Sequence, residues 1–311
     1  MSRQLRISGS RKQSAVSSQT KPLRNAGQYT KNVATMMTTT ATERGSFFKT
    51  AMMRNRIRAS KRGFGLAVAA LALVARTFAG ELEGVKQLIV SIAPGWDSSG
   101  GRLQLFERQG AGWASSGPAW PVLYGKNGLV WGRGVLGTGE PGAHKQERDG
   151  RAPCGVFRIG TIYTYDTALP AGAKYSFHTV GAGDAWVDDV ASPDYNRHVA
   201  VDPANPPAWL EKQKMRHGDF AYRWLVEIRH NSDPPAPGAG SAIFFHIRRG
   251  ATRPTAGCTT MAEENLVNLI RWLRADQRPH YALLPRAEYE AKWKAWGLPS
   301  PQEAAALLPP K

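Results

Sequence analysis

The amino-acid sequence predicts a mostly β domain with one or two packed helices, running from about residue 83 to residue 298. Short apolar runs alternate with Gly-containing breaks over much of this range, which is typical of β-strands joined by turns. In the last quarter of the chain, apolar residues instead recur at helical spacing. With 42% hydrophobic residues, the composition is that of a globular protein.

The strand predictions follow in chain order, each bounded by turn residues. They cover 87–93, 101–107, 112–115, 121–124, 129–133, 154–164, 222–230 and 241–248. A long irregular region, 165–217, separates the last two from the rest. Loops of that length are usually functional or contain short helices.

Residues 261–275 form the clearest predicted helix. Thr260 and Glu263 match a capping box at its start. The face that is expected to be buried consists of Leu266, Leu269, Ile270 and Leu273. A second helix is predicted over 286–296 and a short third one over 301–308, although residues 299–311 as a whole are assigned to a C-terminal tail.

The formal net charge of +17 is concentrated near the start of the chain. Residues 1–79 hold 15 of the 41 Lys and Arg residues and a single acidic residue, Glu43, which leaves 26 basic against 23 acidic residues in 80–311. Nucleic-acid binding requires basic residues clustered on the folded surface. The nearly neutral body therefore argues against a nucleic-acid partner.

The basic leader resembles a secretory signal. An apolar run over 63–75 is followed by the small residue Ala79, and it is shorter than the roughly 20 residues of a comfortable membrane span. The positive residues that precede it are Arg54, Arg56, Arg58, Lys61 and Arg62. We expect a signal peptide over 52–79, cleaved or kept as an inner-membrane anchor, and a periplasmic protein. Residues 1–51 are expected to be disordered or untranslated, with the start at Met52 or Met53.

Cys154 and Cys258 are the two cysteines of the chain. An exported protein would meet an oxidising compartment, where a bridge between them would block both thiols. We therefore expect Cys154 to be a buried free thiol if Cys258 is reactive.

The residues around Cys258 suggest a cysteine nucleophile. His246 lies near the end of a predicted strand, and Cys258 precedes the predicted cap of a helix, whose N-terminus would favour a thiolate. His246 is the expected base. The backbone N–H groups at the start of that helix are natural donors to an oxyanion. A small buried cysteine and a structural histidine remain the alternative. Neither CxxC nor His-x-x-x-His spacing occurs, so no metal site is expected.

The string Thr255-Ala256-Gly257-Cys258 resembles the nucleophile motif T-x-G-C found in one branch of the YkuD-type L,D-transpeptidases. Three further strings are similar to that branch and occur in the same order along the chain. They are YGKNG at 124–128, KQERDGRAPCGVF at 145–157 and WVDDVASPDYN at 186–196. Together with the cysteine motif they cover nearly all of the chain after the leader.

The resemblance implies a barrel-like β-sandwich catalytic domain without a cofactor. It implies that Cys258 attacks the amide after a meso-diaminopimelate centre in a peptidoglycan tetrapeptide, and that His246 moves the proton. It also implies that the backbone N–H groups of Gly257 and Cys258 form the oxyanion hole. The partners would be a donor tetrapeptide and an amine acceptor, and carbapenem-type β-lactams would inhibit. Arg248, Arg249 and Arg253 flank the site and are expected to hold the carboxylates of a peptidoglycan stem, although a charged turn is more often simply solvated. Thr259 is a further expected substrate contact.

Three residues depart from the wider family pattern. Ile247 follows the histidine where a glycine is common, and Thr259 follows the cysteine where many relatives have an arginine. Cys154 replaces a small residue in the A/T-P-x-G run. The sequence also leaves three functions open besides transpeptidation: an L,D-carboxypeptidase, an amidase or endopeptidase that cuts the wall, and a non-catalytic wall-binding module. Asp188 and Asp189 are interpreted as part of a structural loop with Asx turns.

Overall fold

The computed structural model describes residues 80–216 and 218–308. The predicted extension, start site and signal peptide lie outside the described residues. Within the described ranges, none of the helices combines the length and the apolar character that crossing a bilayer requires.

The described part of the chain is mostly β. In chain order the strands are β1 Gln87–Ala93, β2 Gly100–Gln109, β3 Gly112–Ser115, β4 Trp120–Leu123, β5 Leu129–Trp131, β6 Ala152–Thr164, β7 Phe177–Thr179, β8 Asp184–Trp186, β9 His198–Ala200, β10 Trp224–Ile228, β11 Phe244–Ile247, β12 Thr259–Met261 and β13 His280–Pro285. The eight predicted strands are confirmed within a few residues. The other five strands, β7, β8, β9, β12 and β13, were not predicted.

Eight of these strands close into a barrel. The order around it is β1-β13-β6-β10-β11-β12-β4-β2, and β2 pairs with β1 to complete the circle. Most neighbours are antiparallel, whereas β1–β13 and β11–β12 are parallel. Closure leaves these strands without an open sheet edge. Strands β8 and β9 form a separate two-stranded sheet, and β7 pairs with the C-terminal end of β6.

Aromatic residues fill the barrel interior. Tyr281 on β13 lies with its ring centroid 4.6 Å from that of Phe245 on β11, and its hydroxyl is 3.0 Å from Thr259 Oγ1 on β12. Strand β13 is not a neighbour of β11 or β12, so these contacts pass through the interior. Because successive side chains in a strand point to opposite faces, the residues next to Phe245 and Thr259 face outward.

Three α-helices accompany the barrel within the described residues: α1 Leu210–Gln213, α2 Glu263–Trp272 and α3 Arg286–Trp296. The predicted helix at 261–275 is therefore confirmed in type but begins later. Thr260 pairs with His246 and Leu123 in the barrel, so its backbone is extended. Ala262 occupies the N-cap, and the predicted capping box is wrong.

The segment assigned to a C-terminal tail packs against the barrel as far as it is described. Ala304 and Leu307 are buried, and the Glu303 carboxylate accepts a hydrogen bond from Trp113 N–H at 2.8 Å. Instead of the predicted third helix, this segment contains turns and the short 3-10 helix Ala305–Leu307. The packed region thus extends past residue 298.

Candidate functional site

Cys258 lies at the floor of an open cleft on the outside of the barrel. It directly precedes Thr259, whose side chain points inward, so the thiol points outward beside Phe244. The cleft has a volume of about 250 Å³. The residues that matter for its chemistry are Trp186, Asp188, Lys212, Tyr222, Phe244 and Cys258.

A short loop, residues 255–257, presents the cysteine. Thr255 N–H donates to Tyr124 O and Lys126 N–H donates to Thr255 O, both at 2.8 Å. The Thr255 hydroxyl donates to Cys258 O at 2.7 Å and accepts from Gly257 N–H at 3.0 Å. The loop is therefore fixed from both ends. The Gly257 N–H, predicted to be an oxyanion donor, is already paired with Thr255.

Glycine is required at position 257 because neighbouring residues lie close to its Cα atom. A Cβ added at this position would lie 3.0 Å from the carbonyl oxygen of Arg151 and 3.1 Å from Ile243 Cδ1. The Cε atom of Lys145 is 3.6 Å from the same point. Any side chain at 257 would push the cysteine loop away from the segment that supports it.

Lys145 is a buried cation behind this loop. Its Nζ is 2.5 Å from Asp149 Oδ1 and donates to Gln146 O at 2.8 Å. The Asp149 carboxylate also accepts from Arg151 N–H at 2.8 Å. The first part of the predicted string, 145–151, thus forms a turn that is held by its own ion pair and supplies positive charge near Cys258, and the rest belongs to β6.

The Cys258 thiol donates to Ala242 O, with 3.4 Å between the heavy atoms. Burial raises the pKa of the thiol to about 11, against which the Phe244 backbone N–H and the charges of Lys145 and Arg249 act more weakly. The prediction that a helix N-terminus would lower this pKa is wrong, because β12 separates Cys258 from the start of α2.

His246 is buried on the outer face of β11, the same face as Cys258. Its Nδ1 lies 2.9 Å from Ile247 O. A carbonyl can only accept, so Nδ1 carries the hydrogen and Nε2 carries the lone pair in the neutral ring. Burial lowers the pKa of His246 to about 4, although the Ile247 carbonyl opposes this.

The two predicted catalytic residues are near each other in register but not directly bonded among the described contacts. Phe245 pairs with Thr259 and His246 with Thr260, so His246 lies two positions further along the parallel pair than Cys258. The ring of Tyr222, which also lines the cleft, lies 5.1 Å from the His246 ring in a T-shaped contact. In this arrangement each residue's hydrogen bond goes to a backbone carbonyl.

The predicted substrate contacts do not all lie at the cleft. Thr259 is buried in the barrel interior against Tyr281, so its expected role in the cleft is wrong. Arg253 is exposed on the loop before Thr255, and Arg248 is half-buried beyond β11. Arg249 is the arginine that reaches the site, because its guanidinium stacks over Tyr222 at 4.7 Å and binds the Asp219 carboxylate.

Asn196 connects the cleft wall to the cysteine and was not predicted individually. Its Oδ1 accepts from Trp186 Nε1 and from Ala242 N–H, both at 3.0 Å. Its Nδ2 donates to the backbone oxygens of His230 and Asn231. Ala242 has a φ of 55°, and its carbonyl accepts the Cys258 thiol. The only sequence signal for this role is the position of Asn196 at the end of the 186–196 string.

The acidic residues of that string have separate environments. Asp189 caps a turn by accepting from Ala191 N–H at 3.0 Å, as the Asx-turn interpretation predicts. Asp188 lies on the cleft, where burial and the nearby Glu147 carboxylate raise its pKa. Asp188 is thus available to a ligand, while Asp189 is structural.

A second group of polar side chains lies outside the cleft. Among the described residues, His178, Asp184 and His198 place one potential ligand atom each within 4.8 Å of one another. These residues show no metal-binding spacing in the sequence, because they come from three separate strands within the region predicted to be irregular. No local motif in the sequence would have joined them.

Both cysteines are free, and Cys154 is completely buried on β6 as expected. Comparisons with known proteins identify no relative: no family model matches the chain, and the curated proteins and solved structures searched contain no significant match.

Proposed function

We propose that this protein is an L,D-transpeptidase that modifies peptidoglycan stem peptides through a thioester on Cys258, in the periplasm. The assignment to the YkuD-type family is part of this proposal. It follows from the motifs in the sequence and from how their residues meet around one thiol.

The observation that carries the proposal is the convergence of three sequence strings on the cysteine loop. The 124–128 string bonds Thr255 from both sides, and Lys145 of the second string lies behind Gly257. The 186–196 string reaches the thiol through Asn196 and Ala242. The three strings that carry the resemblance are therefore grouped around one thiol, which supports the proposal.

The proposed reaction begins with a neutral thiol and a neutral imidazole. His246 Nε2 takes the thiol proton as Sγ bonds to the carbonyl carbon that precedes the terminal D-Ala. The proton then passes from His246 to the departing D-Ala amine, and a thioester remains. An acceptor amine attacks the thioester, forms the new amide and returns a proton to Cys258.

The cleft has charged groups of both signs for such a substrate. Lys212 lies on the wall of the cleft that α1 forms, and Asp188 lies on the wall that follows β8. A meso-diaminopimelate side chain ends in an amine and a carboxylate, which these groups complement. Arg249 adds positive charge beside Tyr222.

The direct test is incubation of the purified full-length protein with a disaccharide-tetrapeptide, followed by mass spectrometry. Cross-linked dimers that carry a tripeptide donor are the expected product. If tripeptide forms without dimers, water is the acceptor, and the activity is that of an L,D-carboxypeptidase and not of a transpeptidase. Cleavage of cross-linked muropeptides instead would indicate an endopeptidase.

Two matched variants decide whether Cys258 carries the reaction. The Cys258→Ala protein is expected to form no product, and the Cys154→Ala protein is expected to retain activity. If neither stem peptides nor a carbapenem reacts with the native protein, the enzyme proposal fails and a wall-binding module becomes the better account. Recovery of the protein from the periplasmic fraction and sequencing of its N-terminus test export.

A further inference from the structure

The group formed by His178, Asp184 and His198 is built from three strands that meet outside the barrel. Asp184 Oδ1 lies 2.8 Å from His178 Nε2 and 2.6 Å from His198 Nε2. Both imidazoles therefore present the same nitrogen to a single carboxylate oxygen. We call these three residues the His-Asp-His cluster.

The carboxylate in the cluster is held in place. Asp184 is buried, with 6% of the residue exposed, and its Oδ2 accepts a hydrogen bond from Gly181 N–H at 2.6 Å. A second bond on Oδ2 leaves Oδ1 free to face the histidines, as in carboxylates that bind metals.

The two rings are oriented by packing against Tyr163. Their centroids lie 5.9 Å (His178) and 5.0 Å (His198) from that of Tyr163, and 4.8 Å from each other. Both side chains remain partly open to solvent, with 39% and 21% exposed. The cluster is thus ordered on its inner side and accessible from outside, which an ion and a completing water would require.

We propose that the His-Asp-His cluster binds a divalent transition-metal ion of the zinc class. Two imidazole nitrogens and one carboxylate oxygen, with an open fourth position, are a known ligand set for Zn²⁺. Each histidine binds through Nε2 as its Nδ1–H tautomer. Zn–ligand bonds of about 2.0–2.2 Å in a tetrahedral site place ligand atoms roughly 3.3 Å apart. Each imidazole nitrogen therefore moves about 0.6 Å away from Asp184 Oδ1 when the ion enters. The two nitrogens, which lie within 4.8 Å of each other, come to the same separation.

The bound ion joins two sheets. His178 belongs to β7, which pairs with barrel strand β6, whereas Asp184 and His198 belong to the separate β8–β9 sheet. Trp186 at the end of β8 lines the cleft that holds Cys258. The metal therefore fixes one wall of the cleft to the barrel, and this role does not depend on which reaction occurs there.

The test uses the full-length protein after removal of metal with a chelator. Titration with Zn²⁺ alone, followed by calorimetry and by metal analysis of the desalted protein, is expected to give one ion per chain with a Kd below about 1 µM. Co²⁺ is expected to give the strong visible absorption of a tetrahedral site. Less than one fifth of an ion per chain at a tenfold excess of Zn²⁺ would overturn the proposal.

The matched variant is His178→Gln/His198→Gln. Glutamine still donates a hydrogen bond to Asp184 but is a poor zinc ligand, so a purely hydrogen-bonded cluster would be little affected. Zn²⁺ affinity is expected to fall at least a hundredfold, while His144→Gln, a histidine change outside the cluster, leaves it unchanged. Equal affinity of the double variant and the native protein would contradict the proposal.

Thermal unfolding provides a readout that is independent of affinity. Zn²⁺ is expected to raise the Tm of the native protein by several degrees because it binds the folded state. It is expected to leave the Tm of the double variant unchanged. If the double variant is unstable even without metal, the Co²⁺ spectrum of the native protein decides alone, and a spectrum without tetrahedral bands overturns the proposal.

Discussion

The two cysteines of this protein occupy opposite kinds of environment. Cys154 is completely buried on β6, and burial raises the pKa of its thiol far above the usual value, with the Glu288 carboxylate adding to the effect. Cys258 reaches a cleft, and the charges of Lys145 and Arg249 lower its pKa against the larger effect of burial. The two thiols differ in their access to the cleft and in the positive charge near them. Both are protonated in the resting protein.

The same reasoning applies to the histidine beside the cleft. The pKa of His246 is about 4 and that of Cys258 about 11, so both groups are neutral near pH 7. A stable thiolate–imidazolium pair would need the opposite order of pKa values. The thiolate must therefore form during the reaction, when substrate and proton transfer occur together.

The largest expected effect comes from replacing Cys258, with the replacement of Cys154 as the matched control. Cys258→Ala is expected to lower kcat/KM for tripeptide release at least about 1,000-fold, because the nucleophile is lost. Cys154→Ala is expected to stay within about threefold of the native value, since Cys154 reaches neither the cleft nor solvent. Steady-state rates by mass spectrometry check both. A large loss in the Cys154 variant without unfolding would break the contrast between the two thiols.

Removing the base is expected to have the next largest effect. His246→Asn keeps a donor toward Ile247 O but removes the lone pair of Nε2, so kcat is expected to fall about 100-fold or more. His280→Asn is the control, because His280 is also buried, also bonds a backbone carbonyl through Nδ1 and also has a pKa of about 4. Equal losses in the two variants would show that burial of a histidine, and not catalysis, is being measured.

The pH dependence of alkylation sharpens the comparison further. Iodoacetamide reacts with the thiolate, so the rate at Cys258 is expected to rise about tenfold per pH unit between pH 7 and pH 10. His246 has already lost its proton across this range, so it adds no step to the profile. Peptide mapping locates the adduct. A plateau below pH 9 would show a low-pKa thiolate at Cys258, and labelling of Cys154 in the folded protein would contradict its burial.

The smallest expected effect concerns stability. Cys154→Ala deletes a buried sulfur and leaves a small cavity, and it is expected to lower the free energy of unfolding by about 1–2 kcal/mol. Cys258→Ala is expected to lower it by less, because the thiol borders an open cleft. Denaturant titration measures both. A larger loss at Cys258 would assign that residue to the core and not to a site.

Much of the barrel was predictable because its strands carry local signals. The bounds of β1, β3 and α3 agree with the prediction residue for residue. Strand β12 was missed because Thr260 and Glu263 imitate a helix cap, although pairing with β11 and β4 holds Thr260 extended. Strand β13 is buried throughout, so it lacks the alternation that marks a half-exposed strand.

The site was predictable in its residue types but not in its contacts. Cys258 and His246 were predicted from strand alternation, from the position of the cysteine before a predicted helix and, above all, from the resemblance of the surrounding strings, and the structure places both on one face. The role of Asn196 and the His-Asp-His cluster depend on contacts between segments far apart in the sequence. Thr259 was assigned to the cleft from the resemblance, because many relatives have an arginine that contacts substrate at this position, whereas the unpredicted strand β12 turns its side chain inward.

Because the side chains of Cys258 and Thr259 point to opposite faces, the number of residues in the cysteine loop matters. Their side chains face opposite sides of the barrel wall, so removing or adding one residue between Thr255 and β12 would exchange them. The thiol would then enter the interior and a hydroxyl would face the cleft. At this point a deletion is expected to be as harmful as the loss of the cysteine, whereas substitutions at the exposed Ala256 should be tolerated.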